Sequence, residues 1–220
     1  GEKVNGVLGI KRMPNGKSDV NAGAPISLNL CGANQDYPDA SPERRKEIWK
    51  QHLDWARGLV YFVQNDPSVP EGVRKKYAPW GLCKDEFTDT GGWPHQMYIR
   101  EARRMQGEHV LTQHDLMKDR RKDDCIGMAG YNIDIREVQW VSLRTFFFPR
   151  AEDQVYMEGY VSQPVEPWDI PYRALLPKFG ECQNLLVPVC ISASTIAFAS
   201  FRMEPQFMIA SQAAGTAAAM

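Results

Sequence analysis

The chain has 220 residues, 43% hydrophobic and 24% charged, with 26 Lys+Arg against 27 Asp+Glu. That length holds one sizeable core with a smaller second lobe, and the charge balance excludes a global field for nucleic acid or an anionic membrane. No apolar run reaches the roughly 18 residues a spanning helix needs, and the first residues show no charged-then-apolar signal pattern, so neither nucleic acid nor membrane is an expected partner.

Gly1 to Asp39 is rich in Gly, Asn, Asp and Pro and reads as loops and short extended pieces, with a turn at Asn15-Gly16. Ser41-Pro42 then opens a helix, with Ser as N-cap and Pro at the first helical position. Ile48, Trp49, Trp55, Ala56, Leu59, Val60, Phe62 and Val63 recur at helical spacing, and Asn65-Asp66-Pro67 ends the run. A short helix is predicted from about Pro70 to Tyr77. Gly81 to Pro94 reads as a loop with Asp89-Thr90-Gly91-Gly92 at its tip. Over Gln96 to Met105 strand and helix compete, and the alternation of Met97 and Ile99 with polar residues favours the strand. Thr112 and Asp115 fit a cap with one turn of helix.

From Cys125 onward β signals dominate, at Val138 to Phe148, Val155 to Val161 and Tyr172 to Leu176. The end of the chain reads as a strand over Asn184 to Cys190, a small-residue crossing loop, and a helix opened by Pro205. Helices early and strands late predict an α+β fold.

A helix that begins at Arg202-Met-Glu-Pro-Gln206 aims backbone N–H groups and a positive dipole end at whatever precedes it. The Ala/Gly run that follows serves close packing against a sheet equally well. Arg100-Glu-Ala-Arg-Arg104 is the densest charge cluster. On a strand Arg100 and Arg104 share one face, where a guanidinium fork can hold a carboxylate or polarise a carbonyl. The competing reading is a solvated, salt-bridged strand edge. Lys17, Asp19 and Asn21 follow a glycine turn able to approach a ligand. His95, beside the arginines, is a candidate proton carrier.

Five cysteines form an odd count without C-x-x-C spacing. They read as free thiols acting as small core residues, which leans toward a reducing interior. No histidine lies at metal-finger spacing from them, and no metal site is expected. No G-x-G occurs anywhere, so the phosphate-cradling turn of a dinucleotide site is missing from this sequence.

One succession of blocks carries more than its parts. It runs Tyr98-Ile-Arg-Glu-Ala-Arg-Arg-Met105, Leu111-Thr112, Asp124-Cys-Ile-Gly127, Asn132-Ile-Asp134, Pro171-Tyr-Arg173, Leu176-Pro-Lys178, Glu181-Cys-Gln-Asn-Leu-Leu-Val-Pro-Val189, Arg202-Met-Glu-Pro205 and Gln212-Ala-Ala-Gly215. This order resembles a bacterial family of FAD-dependent oxidoreductases, sometimes labelled xanthan lyases, and Asn15 to Asn21 and the helix from Ser41 fit the same family.

The resemblance implies a two-part flavoprotein, in which a Rossmann-type domain holds FAD and an inserted sheet-and-helix lobe covers the flavin. Residues 1–180 would be the substrate-covering lobe, and 181–220 the returning strand and helix of an incomplete FAD domain. The chain is then expected to be a C-terminal portion, inactive alone and binding FAD weakly or not at all. In the intact parent a small polar substrate would exchange a hydride with the flavin. Arg100, Arg104 and Arg173 are the expected clamps and His95 the acid or base. Lys17, Asp19, Asn21, Arg202, Met203, Glu204, Pro205, Gln206 and Gly215 are the expected cofactor-side residues. The Rossmann half, or a second copy, is the expected partner at the face left open. A non-catalytic binding module and one subunit of a two-chain flavoenzyme are the alternatives.

Overall fold

The computed structural model describes residues 8–21, 27–142 and 155–220. They form an α+β chain of two compact units, residues 1–98 and 99–220.

In the first unit Asn15-Gly16 makes the predicted turn. Gly16 sits at φ +78°, which glycine adopts without a Cβ penalty, and the Asn15 side chain accepts the Lys17 N–H at 3.1 Å. The turn joins β1 (Gly9–Arg12) to β2 (Ser18–Asn21) as an antiparallel hairpin.

Helix α1 (Pro42–Asn65) begins as its sequence dictates, with Ser41 Oγ accepting the Arg44 N–H at 3.2 Å. It packs on α2 (Glu71–Tyr77). Leu8, Val63 and Tyr77 form the buried centre, backed by Ile10, Val20, Leu59, Val60, Val73 and Trp80. The Tyr77 hydroxyl accepts the Leu8 N–H at 3.0 Å and donates to the Leu8 carbonyl at 3.2 Å, pinning the hairpin to α2.

The second unit holds α3 (Gln113–Met117) and three antiparallel strand pairs. β3 (Cys125–Ala129) pairs with β8 (Trp168–Pro171), β4 (Ile133–Ile135) with β7 (Val161–Gln163), and β5 (Gln139–Ser142) with β6 (Val155–Glu158). Two helices close the chain, α4 (Thr195–Phe201) and α5 (Glu204–Ala219). One core runs through Leu111, Leu116, Trp168, Ile170, Leu175, Ile191, Phe198 and Phe201, so residues on both sides of position 180 share it. Full burial of each such side chain contributes about 2 kcal/mol. α5 lies against β3 so closely that a Cβ at Gly127 would meet Ile209 Cγ2 at 2.3 Å.

Five expectations change. Residues 96–105 form no strand. The segment is irregular and is tied instead by side chains and by a Met105 N–H bond to the Cys190 carbonyl at 3.0 Å. Residues 184–190 are not a strand either. Val187 makes a lone N–H bond to the Leu175 carbonyl at 3.0 Å, too little to start a ladder. The crossing loop contains α4, whose N-cap Ser194 accepts from the Ala197 N–H. The strand placed at Tyr172 lies earlier, over Trp168–Pro171, and Tyr172–Leu175 is a turn of 3-10 helix. Val155 to Val161 is split by Gly159 at φ +99° into two strands. The predicted strand from Val138 is present over Gln139–Ser142, and positions 143–150 lie outside the described residues.

Candidate functional site

The α4–α5 junction is built to satisfy itself. Arg202 ends α4, its N–H bonded to the Phe198 carbonyl at 2.9 Å. Four leading N–H groups of a helix ordinarily lack partners. Here Met203 N–H donates to the Phe201 carbonyl at 2.7 Å, Pro205 has no N–H, and Gln206 N–H donates to the Met203 carbonyl at 2.9 Å. The buried Gln206 side chain turns back, its amide nitrogen donating to the Phe201 and Ser200 carbonyls at 2.9 and 3.1 Å. So the expected row of open donors reduces to Glu204 N–H at most. The leading end itself is not packed over: Glu204 and Pro205 are exposed, and no side chain caps the helix. Its positive dipole end therefore faces outward.

Arg202, just before that end, anchors a charge cluster that spacing alone does not reveal. Arg202, 4% exposed, donates from Nη2 to the Asp134 carboxylate at 2.8 Å and to the Asp134 carbonyl at 3.1 Å. Arg100 Nη1 lies 3.6 Å from the same carboxylate. One carboxylate between two guanidinium groups leaves the trio with one positive charge. The Tyr131 ring lies 6.0 Å from the Arg202 guanidinium, and Arg202 Nε is buried without a hydrogen-bond partner among the described residues.

Arg100 and Arg104 do not share a strand face. Arg104 donates to the Ala193 carbonyl at 3.0 Å, to Thr195 Oγ1 at 2.8 Å and to Glu101 at 3.1 Å, and lies over the Phe198 ring. It is a strut that holds the 101–104 segment to the start of α4. Arg173 is held too: its backbone N–H and Nη1 both reach the Asp124 carboxylate, at 3.0 and 2.7 Å, fixing the corner after β8. Met203 is half-buried at the N-cap of α5. Gly215 is exposed on the same helix, 11 residues on from Glu204 and thus about 16 Å along the axis.

The remaining candidates belong to the first unit. His95 is exposed. Asp19 is exposed on β2 opposite Lys11, and the Asn21 backbone pairs with Gly9. The Lys17 ammonium is gripped by Glu86 at 2.5 Å and Asp85 at 3.1 Å. The Glu86 and Asp85 hydrogen bonds hold its pKa above the ordinary lysine value. Lys17 also lines a cavity of about 610 Å³ between the hairpin, α1 and the loop after α2.

A second buried charge cluster supports α3. Asp115 accepts the Thr112 N–H at 2.8 Å and Thr112 Oγ1 at 3.0 Å, completing the predicted cap, and meets the nearly buried Lys122 ammonium at 3.0 Å. Burial alone would raise its pKa. The Thr112 backbone bond and the Lys122 ammonium outweigh burial and lower it. His109 Nε2 lies 3.5 Å from the same carboxylate.

Among the described residues no group of three or more His, Cys, Asp or Glu side chains is placed to hold a metal ion, and no helix is long and apolar enough to cross a membrane. The five cysteines are free thiols, with Cys125 and Cys190 exposed. Asp134 is the member of the trio least visible from the sequence. It stands in Asn132-Ile-Asp134, where a lone acid on a short strand gives no sign that two distant arginines converge on it.

No curated protein and no solved structure matches the chain. The family model described as FAD dependent oxidoreductase matches residues 4–220, nearly the whole length. With that match, the chain belongs to the FAD dependent oxidoreductase family.

Proposed function

We propose that this chain forms the closing wall of a flavin site, with the Arg100–Asp134–Arg202 trio and the open end of α5 facing the electron-rich edge of the flavin ring. The observation that carries the reading is the convergence of two arginines on one carboxylate directly before an exposed helix N-terminus. The trio's positive charge and the helix dipole, partly offset by the exposed Glu204 carboxylate in the first turn of α5, favour a group that gains negative charge on reduction.

The donor set fits one end of FAD. The exposed, uncapped first turn of α5, next to the fixed Arg202 charge, suits the ring's acceptor edge. The pyrophosphate takes a glycine-rich turn, and none of these 220 residues forms a G-x-G. That turn is assigned to other polypeptide, making this chain the C-terminal, substrate-side portion of the enzyme.

Bound FAD supplies two-electron redox chemistry, here a hydride exchanged with a small polar organic substrate. Arg202 holds fixed positive charge, since Asp134 and burial leave it one geometry. Arg100 is the more exposed arginine of the trio and is the one assigned to the substrate's carbonyl or carboxylate. Arg104 and Arg173 position these elements rather than touch substrate, because carbonyl, hydroxyl and carboxylate partners already hold them.

Thermal melts with added FAD test the reading. The purified chain is expected to be colourless. FAD in excess raises the melting temperature, by the free energy that mass action sets, and Arg100→Ala removes most of the rise while lowering the unliganded melt only slightly. No rise for the unmodified chain at the highest soluble FAD overturns the proposal. A stoichiometrically yellow preparation would overturn the assignment of the phosphate turn elsewhere.

A further inference from the structure

The flavin reading leaves unused a cavity of about 610 Å³ in the first unit. That volume is typical of pockets that bury most of a small organic ligand. Its floor and sides come from α1 (Ala56, Val60), from the hairpin (Ile10, Val20), and from Trp80 and Trp93. These walls are apolar and aromatic, and what they lack decides the chemistry. The Tyr77 hydroxyl is spent on both backbone groups of Leu8. The Gln64 amide nitrogen is spent on the Tyr77 and Trp80 carbonyls, at 2.9 and 2.8 Å. With those two groups engaged, the aliphatic side chains and ring faces of the lining reward an apolar body.

The polar end is Lys17. Its ammonium has three donors, and Glu86 and Asp85 take two. One donor is left for a ligand acceptor. The charge is already matched twice over, so an anionic ligand meets two carboxylates for each ammonium it reaches. Lys84 also borders the cavity, exposed like Asp85, and water screens both charges, so the preference against an anion is a modest one set by Lys17 and its two carboxylates. A cationic ligand would have to compete with Lys17 for the same carboxylates.

We propose that this cavity is a binding site for an uncharged aromatic molecule bearing one hydrogen-bond acceptor, with its rings between Trp80, Trp93 and Val60 and its acceptor on Lys17. The site is separate from the trio before α5 and stands or falls independently of the flavin reading.

Three naphthalenes of matched size form the test, read by tryptophan fluorescence and by methyl NMR of the full chain. Acetylnaphthalene is neutral with a carbonyl acceptor, ethylnaphthalene lacks the acceptor, and naphthoate carries a negative charge. Saturable binding of acetylnaphthalene is expected, with shifts at the methyls of Leu8, Ile10 and Val60. Ethylnaphthalene binds about tenfold more weakly, the size of one charge-assisted hydrogen bond, and naphthoate more weakly still. Lys17→Met erases the difference between the two neutral probes. Ala56→Trp fills the space and abolishes binding, and because the methyl shifts locate the ligand in the unmodified chain, the site remains testable if that variant misfolds. Absence of saturable binding, methyl shifts elsewhere, or naphthoate binding as tightly as acetylnaphthalene would each overturn the proposal.

Discussion

Single residues in this chain are decided by what they are paired with. Arginine is the clearest case: Arg104, Arg173 and Arg202 all sit in structural positions, and only the partners distinguish them. Arg202 is the most committed, because a guanidinium 3% exposed needs its carboxylate. Asp134→Ala should therefore cost about 3 kcal/mol, the usual penalty for stranding one member of a buried ion pair. Arg100→Ala, which removes the more exposed arginine, should cost less than 1 kcal/mol or so. Urea unfolding of the two variants checks the ordering, and equal losses would remove the distinction between a buried anchor and an accessible arginine. The arginine cluster was visible in the sequence as charge density, but its assignment to one strand face was not recoverable. Side-chain bonds to Ala193, Thr195 and Asp134, some 30 to 90 positions away, decide where each guanidinium goes, and local alternation carries no trace of them.

At the scale of elements, the helices with side-chain caps were readable and the short strands were not. Ser41-Pro42 and Thr112 with Asp115 announce α1 and α3, because a cap is a local event between residues three apart. α4 has the same signal in Ser194 and Ala197. It is masked because Ser-Ala-Ser-Thr looks like a loop and the helix that follows is only 7 residues long. The strand expected at 184–190 failed for the opposite reason: β-branched residues and a proline make a plausible run, but no strand among the described residues pairs with it. Because α4 places both Arg104's partners and the start of α5, its cap should matter beyond its length. Ser194→Ala removes one hydrogen bond and should cost about 1 kcal/mol. The loss should appear in amide exchange over residues 195–203 before it appears elsewhere in the second unit. A uniform change across that unit would show that α4 has no separate opening of its own.

For the whole molecule, the division into two units bears on how a cofactor could engage the chain. The α+β class followed from the order of helical and β patterns. The division at residue 98 did not, since no linker-like composition marks it. The cofactor-side candidates fall on both sides of it: Lys17, Asp19 and Asn21 in the first unit, Arg202 to Gln206 in the second. Their chemistry is unequal. Lys17 already faces two carboxylates, which opposes a reduced flavin, whereas the trio before α5 carries an excess positive charge beside an open helix end. Hydrogen exchange with and without excess FAD separates the two sets in one experiment. Slowed exchange is expected at the leading turn of α5 and at β4, which carries Asp134, with residues 9–21 unchanged. Slowing in the hairpin alone would move the flavin to the first unit and leave the trio a purely structural cluster. Slowing in both would mean that the cofactor draws on the two units together, and that Lys17 exchanges one of its carboxylates for the ligand when it binds.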